Sequence, residues 1–142
     1  MTIYATLADL TAQFGDREVI ALTDRNGDGV ADAPVVAMAL KRASDVIDSY
    51  LSARFPLPIT VVPDLLVDLC CDIARFKLCG AEVTETEEVR NRYKDALKTL
   101  ALIRDRQIDI GLSDTGQIPS ETASVQVVGG SRVFDDETMS RF

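Results

Sequence analysis

This chain of 142 residues has no histidine and only three cysteines. Without imidazole it lacks the commonest general base near neutral pH and a frequent zinc ligand. Cys70, Cys71 and Cys79 lie in one apolar helical segment, odd in number and without CxxC spacing. They read as buried, reduced thiols rather than as a disulfide or a metal site. No apolar run approaches the roughly 18 to 20 residues needed to cross a bilayer, and the first residues lack the basic and apolar regions of a signal peptide. The expectation is a soluble, intracellular protein without a membrane partner. Net positive charge is also missing: the chain carries -8. That argues against a protein whose work is to grip nucleic acid, because affinity for phosphates comes mainly from clustered Lys and Arg. A surface past which DNA slides is compatible with it.

What is present is a core: 46% of the residues are hydrophobic, enough for one domain. The strongest periodic stretch runs from Asp32 to Ala53, with apolar residues at Val36, Ala39, Leu40, Ala43, Val46, Ile47, Tyr50 and Leu51. Spacings of three and four make one continuous apolar face, opposed by Lys41, Arg42, Ser44, Asp45, Asp48 and Ser52. Asp32 is placed to cap this helix and Pro34 to open it, while Pro56 and Pro58 cannot continue it. Two shorter helices precede it. Thr6 to Phe14 begins with a capping threonine, stops at Gly15 and sets Leu7, Leu10 and Phe14 on one face; Asp16 to Leu22 turns Val19, Ile20 and Leu22 to the core. Neither is long enough to stand alone, so both must dock on something larger.

Pro63 to Cys79 is a second long helix with apolar residues around most of its circumference, the mark of an element packed on more than one side or against a neighbouring subunit. Asp68, Asp72, Arg75 and Lys77 fill the remainder, and no nucleophile or glycine-rich loop accompanies the carboxylates, so catalysis is not expected. Thr84 with Glu87 reads as a capping box for a third long helix from Glu85 to about Arg106, acidic at its start and basic at its end as the helix dipole prefers. Helical period is lost after Arg106. The predicted organisation is therefore a helical body over residues 1–106 and an extended C-terminal tail over 107–142, rich in Gly, Ser and Thr, with six acids against two arginines. In that tail Val125, Val127, Val133 and Phe134 have no local core, so the tail is expected either to be disordered in isolation or to order along a partner, where the alternation at Ser124 to Val128 suits an added short strand.

One segment carries a ligand pattern. In Thr23 to Ala33, Asp24, Asn26 and Asp28 alternate, Gly29 follows where an EF-hand loop turns sharply, and Asp32 takes the ninth position. Oxygen donors at this spacing suit calcium. The twelfth position is Val35, however, so the bidentate carboxylate that completes such a site is missing and only weak Ca2+ binding is expected. The alternative is a polar turn in which Asp and Asn bond the nearby backbone and Asp32 caps the next helix. No cofactor is required by any other feature.

Taken together, YATLADL (Tyr4 to Leu10), LTDRNGDGVAD (Leu22 to Asp32), IDSYLSARFPLP (Ile47 to Pro58), VPDLLVDLCCDIARFKLCG (Val62 to Gly80) and SRVFDDETM (Ser131 to Met139) resemble the small head-to-tail joining proteins of Mu-like phages and prophages. More distantly, the order of helices is similar to the adaptor and head-completion proteins of other long-tailed phages. The resemblance implies an all-helical subunit, a small bundle of three long helices with short N-terminal ones, that assembles with itself as a ring of twelve beneath the portal protein. It implies a place in the virion neck, assembly in the bacterial host cytoplasm, a channel through which DNA passes without sequence-specific binding, and a docking surface for the next connector or tail-terminator protein. The tail residues Val125, Val127, Val133 and Phe134 are the expected partner contacts. A calcium-binding regulatory or interaction module built on Asp24 to Asp32 is the alternative.

Overall fold

Five helices form in chain order: α1 Leu7–Phe14, α2 Asp16–Thr23, α3 Ala33–Leu51, α4 Asp64–Leu78 and α5 Glu87–Arg104. They come from a computed structural model that describes residues 2–80 and 85–115. The all-α class and the bundle of three long helices are as the periodicity predicts. Helix α4 packs against each of the other four, which is the consequence of its wide apolar arc. Leu66, Leu69, Cys70, Cys71, Ile73, Ala74 and Leu78 are all buried on it. Helix α3 lies along α4 and α5, and the α1–α2 pair closes one side against α4.

Local chemistry sets the boundaries. The Thr6 hydroxyl accepts from the Asp9 amide at 3.3 Å and the Asp9 carboxylate accepts from the Thr6 amide at 2.7 Å, so two donors that the first turn leaves unpaired are satisfied together. Gly15 separates α1 from α2 with φ +88°, a conformation that side chains resist, while its amide still bonds the Thr11 carbonyl. Two caps differ from expectation. Asp32 precedes α3 but makes no side-chain cap, because its carboxylate turns back into the loop instead. Helix α5 is capped by Thr86, whose hydroxyl accepts from the Val89 amide; Thr84, which the spacing to Glu87 favoured, lies outside the described residues.

The stretch before α1 is pinned to α3 by polar contacts. Tyr4, 3% exposed, donates its amide to Ser44 Oγ at 3.2 Å and its phenol to Asp48 at 2.5 Å, and Ser44 Oγ lies 3.7 Å from Cys70 Sγ. Ser44, expected on the polar face, is therefore fully buried and satisfied. Burial and the Asp48 carboxylate together raise the Tyr4 pKa, while burial pushes the Cys70 thiol up to about 11 and the Cys71 thiol to about 12. All three cysteines are free thiols, with Cys79 half-buried.

Arg75 departs from the surface role its spacing suggests. It is 9% exposed, bonds Glu18 of α2 through Nε and Nη2 at 2.6 Å, lies 3.5 Å from Glu88 of α5 and stacks 4.5 Å over the Phe14 ring. A guanidinium with a buried stem and paired head ties three helices to α1. Leu7, by contrast, is exposed, so only Leu10 and Phe14 of the expected face pack inward. Beyond α5 the chain continues on the body: Leu112 is buried, and Arg54 donates to the carbonyls of Ile103 and Ile108 at 2.8 and 3.1 Å. Residues 107–115, read as the start of the tail, thus carry core contacts that a missing helical period conceals.

Candidate functional site

The acidic loop between α2 and α3 brings three of its four sequence-predicted residues together. Carboxylate oxygens of Asp24, Asp28 and Asp32 lie within 4.8 Å of one another. Asp24 ends α2 and accepts from the amides of Gly27 at 2.7 Å, Asp28 at 3.2 Å and Gly29 at 2.9 Å. The amide oxygen of Asn26 accepts from Asp28 at 3.1 Å, Asp28 accepts from Val30 at 2.9 Å, and Asp32 accepts from Arg25 at 3.0 Å. Gly27 and Gly29 make this winding possible with φ +77° and +79°. The result is a row of side-chain-to-backbone turns. Amide donors, Gly29 foremost, hold the Asp24 carboxyl below its usual range and so keep it ionised.

Chemically the loop offers hard oxygen donors of the kind calcium takes, but incompletely. Val35, at the twelfth position, packs against the core and has no oxygen in its side chain. The same carboxylates are already bonded to amides of the loop. The turn is self-sufficient in its hydrogen bonds, and its carboxylates gather negative charge at one place. The other predicted site residues, Val125, Val127, Val133 and Phe134, lie outside the described residues.

A second feature lies beside the loop. Pro34, Val35, Met38 and Ala39 of α3 and Leu78 of α4 line an open groove of about 320 Å³ whose rim is Arg25, Arg42 and Lys77. Met38 is 52% exposed. None of the three cations makes an ion pair among the described residues, although Lys77 lies 6.0 Å over the Tyr93 ring. No spacing in the sequence joins them, because they come from the loop, α3 and α4. Among the described residues no helix is long and apolar enough to cross a membrane.

Comparison with known proteins supplies what the geometry alone does not. The family model described as "Bacteriophage Mu, Gp36" matches residues 4–128. The chain is 41% identical over 133 residues to "Gene product J" of Escherichia phage Mu, covering 92% of this chain and 93% of that protein. It is 37% identical over 101 residues to "Mu-like prophage FluMu protein gp36" of Haemophilus influenzae, covering 70% of each.

Proposed function

From the premise that this chain belongs to the bacteriophage Mu Gp36 family, we propose that it is a structural protein of the virion, a head-tail connector without enzymatic activity. In this reading copies assemble as a ring, twelve in number, beneath the portal protein in the virion neck. The ring extends the DNA channel and presents a surface to the next connector or tail-terminator protein. Subunits are made and assembled in the host cytoplasm.

The observation that carries this reading is the nearly end-to-end likeness to a phage Mu gene product, together with the connector-like order of sequence segments. The fold is compatible on physical grounds. A bundle of five helices around a filled core has no interior wide enough for a duplex, so a DNA channel has to be enclosed between copies. Each copy contributes a charge of -8, which disfavours a tight grip on phosphates and lets DNA slide without sequence-specific binding. Val125, Val127, Val133 and Phe134 serve as the contacts to neighbouring proteins, the aromatic being the strongest single anchor.

Deletion of residues 116–142 tests this, since that cut spares Leu112 and the body it stabilises. The expected outcome is DNA-filled heads and free tails that do not join. Normal infectious particles from the truncated chain would remove the tail from the mechanism. The second reading, a calcium-binding module, rests on the convergence of Asp24, Asp28 and Asp32 within 4.8 Å. A calcium-dependent rise in melting temperature would support it, and an unchanged melting curve would count against it.

A further inference from the structure

We propose that the groove between α3 and α4 is the docking site for this chain's own C-terminal segment Val133 to Met139, with Phe134 seated over Met38 and the acidic residues held by the basic rim. The complementarity is one of chemistry. The segment reads Val-Phe-Asp-Asp-Glu-Thr-Met: two apolar residues, three consecutive acids, then another apolar side chain. The groove offers an apolar floor of Pro34, Val35, Met38 and Leu78, and three cations, Arg25, Arg42 and Lys77, that have no ion pair among the described residues. Other cations find acids, as Arg75 does with Glu18, Arg92 with Asp72 and Arg106 with Asp114, and while Arg17, Lys94 and Lys98 likewise make no ion pair among the described residues, Arg25, Arg42 and Lys77 line one apolar groove together. A cationic cluster with no acid paired to it among the described residues attracts an acidic segment, and three consecutive acids concentrate that attraction in one short stretch.

Chain length favours attachment to the same molecule. The last described residues are fixed near the far end of α3, where Asp114 lies 3.6 Å from Arg54 and 2.7 Å from Arg106. Met38 to Leu51 spans about 20 Å along that helix at about 1.5 Å per residue. Thr115 and Phe134 are 19 residues apart in sequence, and a generic random-coil tether of that length has a root-mean-square span of about 25 Å. A tether whose typical span matches the distance between its anchor and its site gives close to the highest effective concentration. Aromatic burial then supplies the hold and the three charges supply the register. In the free chain this docking covers Val133 and Phe134, the same residues proposed as partner contacts. They become available when a partner surface competes for them.

The test uses the full-length chain in solution, where ring assembly and head joining play no part, so its outcome is separate from that of the connector reading. Phe134 is replaced by p-benzoylphenylalanine, and isotopically labelled and unlabelled protein are mixed before irradiation. The expected product is a cross-link from residue 134 to the segment 34–42 or to 77–78, joining only peptides of the same isotope. Arg42→Glu with Lys77→Glu lowers that yield by about tenfold, and adding Asp135→Lys with Asp136→Lys restores it. Unchanged circular dichroism of these surface variants shows that the fold is kept. Cross-links to another surface, mixed-isotope products alone, no cross-link, or a yield indifferent to charge reversal would each overturn the proposal.

Discussion

The acidic loop and the basic groove share Arg25 and differ in how their charge is used. In the loop each carboxylate bonds a nearby amide: Asp24 holds Gly27, Asp28 and Gly29, and Asp32 holds the backbone of Arg25 itself. In the groove the Arg25 side chain joins Arg42 and Lys77 on a rim where no ion pair forms among the described residues. The loop draws attention in the sequence because its residues are contiguous, yet its polar groups are largely satisfied within it. The groove is assembled from distant residues, and its three cations make no ion pair among the described residues. Contiguity in sequence therefore marked local structure, whereas the grouping of three cations around an apolar groove arose from tertiary packing.

The largest effect is expected beneath both regions. Leu66 is fully buried on α4, the helix that touches all the others, and Leu66→Ala should cost about 2–5 kcal/mol. Denaturant unfolding followed by circular dichroism measures it; a loss below 1 kcal/mol would mean that α4 is not the hub. Next is Tyr4→Phe, which removes the phenol–Asp48 bond at 2.5 Å and should cost about 1–2 kcal/mol. The folded-state Tyr4 pKa is raised above its ordinary 10.0, so its contribution is complete below pH 10 and is lost as pH rises beyond it. Alkaline unfolding should thus be steeper in the wild-type chain than in Tyr4→Phe.

Two smaller effects sharpen the contrast with the loop. Amide donors depress the Asp24 pKa below its ordinary 3.8, so the loop's order is held above that pH and lost as pH falls through the lower folded value. Amide shifts of Gly27 and Gly29 should report this change by NMR while the helical signal persists, and Asp24→Asn should loosen the same amides at neutral pH. Because Val35 supplies no carboxylate, calorimetry should find calcium binding weaker than micromolar; submicromolar affinity would require an additional ligand. The smallest effect belongs to Asp32→Ala. Lacking a cap bond to lose, α3 should keep its stability within about 0.5 kcal/mol, with the perturbation confined to Arg25 and the loop.

Much of the fold was legible because long amphipathic helices announce themselves every three or four residues. The Thr6 cap and the stop at Gly15 were legible for the same local reason. Asp32 was misread because the position before a helix and the ninth position of an acidic loop coincide there, and only the three-dimensional path shows which demand its carboxylate meets. Thr84 and Thr86 both precede α5, and the capping-box spacing selected Thr84 although the cap comes from Thr86. Arg75 looked like a surface cation because its partner Glu18 lies 57 residues away in sequence. Ser44 and Leu112 were missed likewise: each is buried by contacts that no local period records. The three acids of the loop could be found from spacing, but the rim of Arg25, Arg42 and Lys77 could not.

Closure of the head-to-tail junction by a ring of this family member would be visible in electron cryo-microscopy of complete phage particles, with the chain located by a small C-terminal tag and its copy number determined from the symmetry. The expected result is twelve copies of the five-helix body directly beneath the portal, surrounding the DNA channel, with the tail segments contacting the adjoining proteins. Finding the chain in the capsid shell or tail tip, or absent from the finished particle, would contradict it.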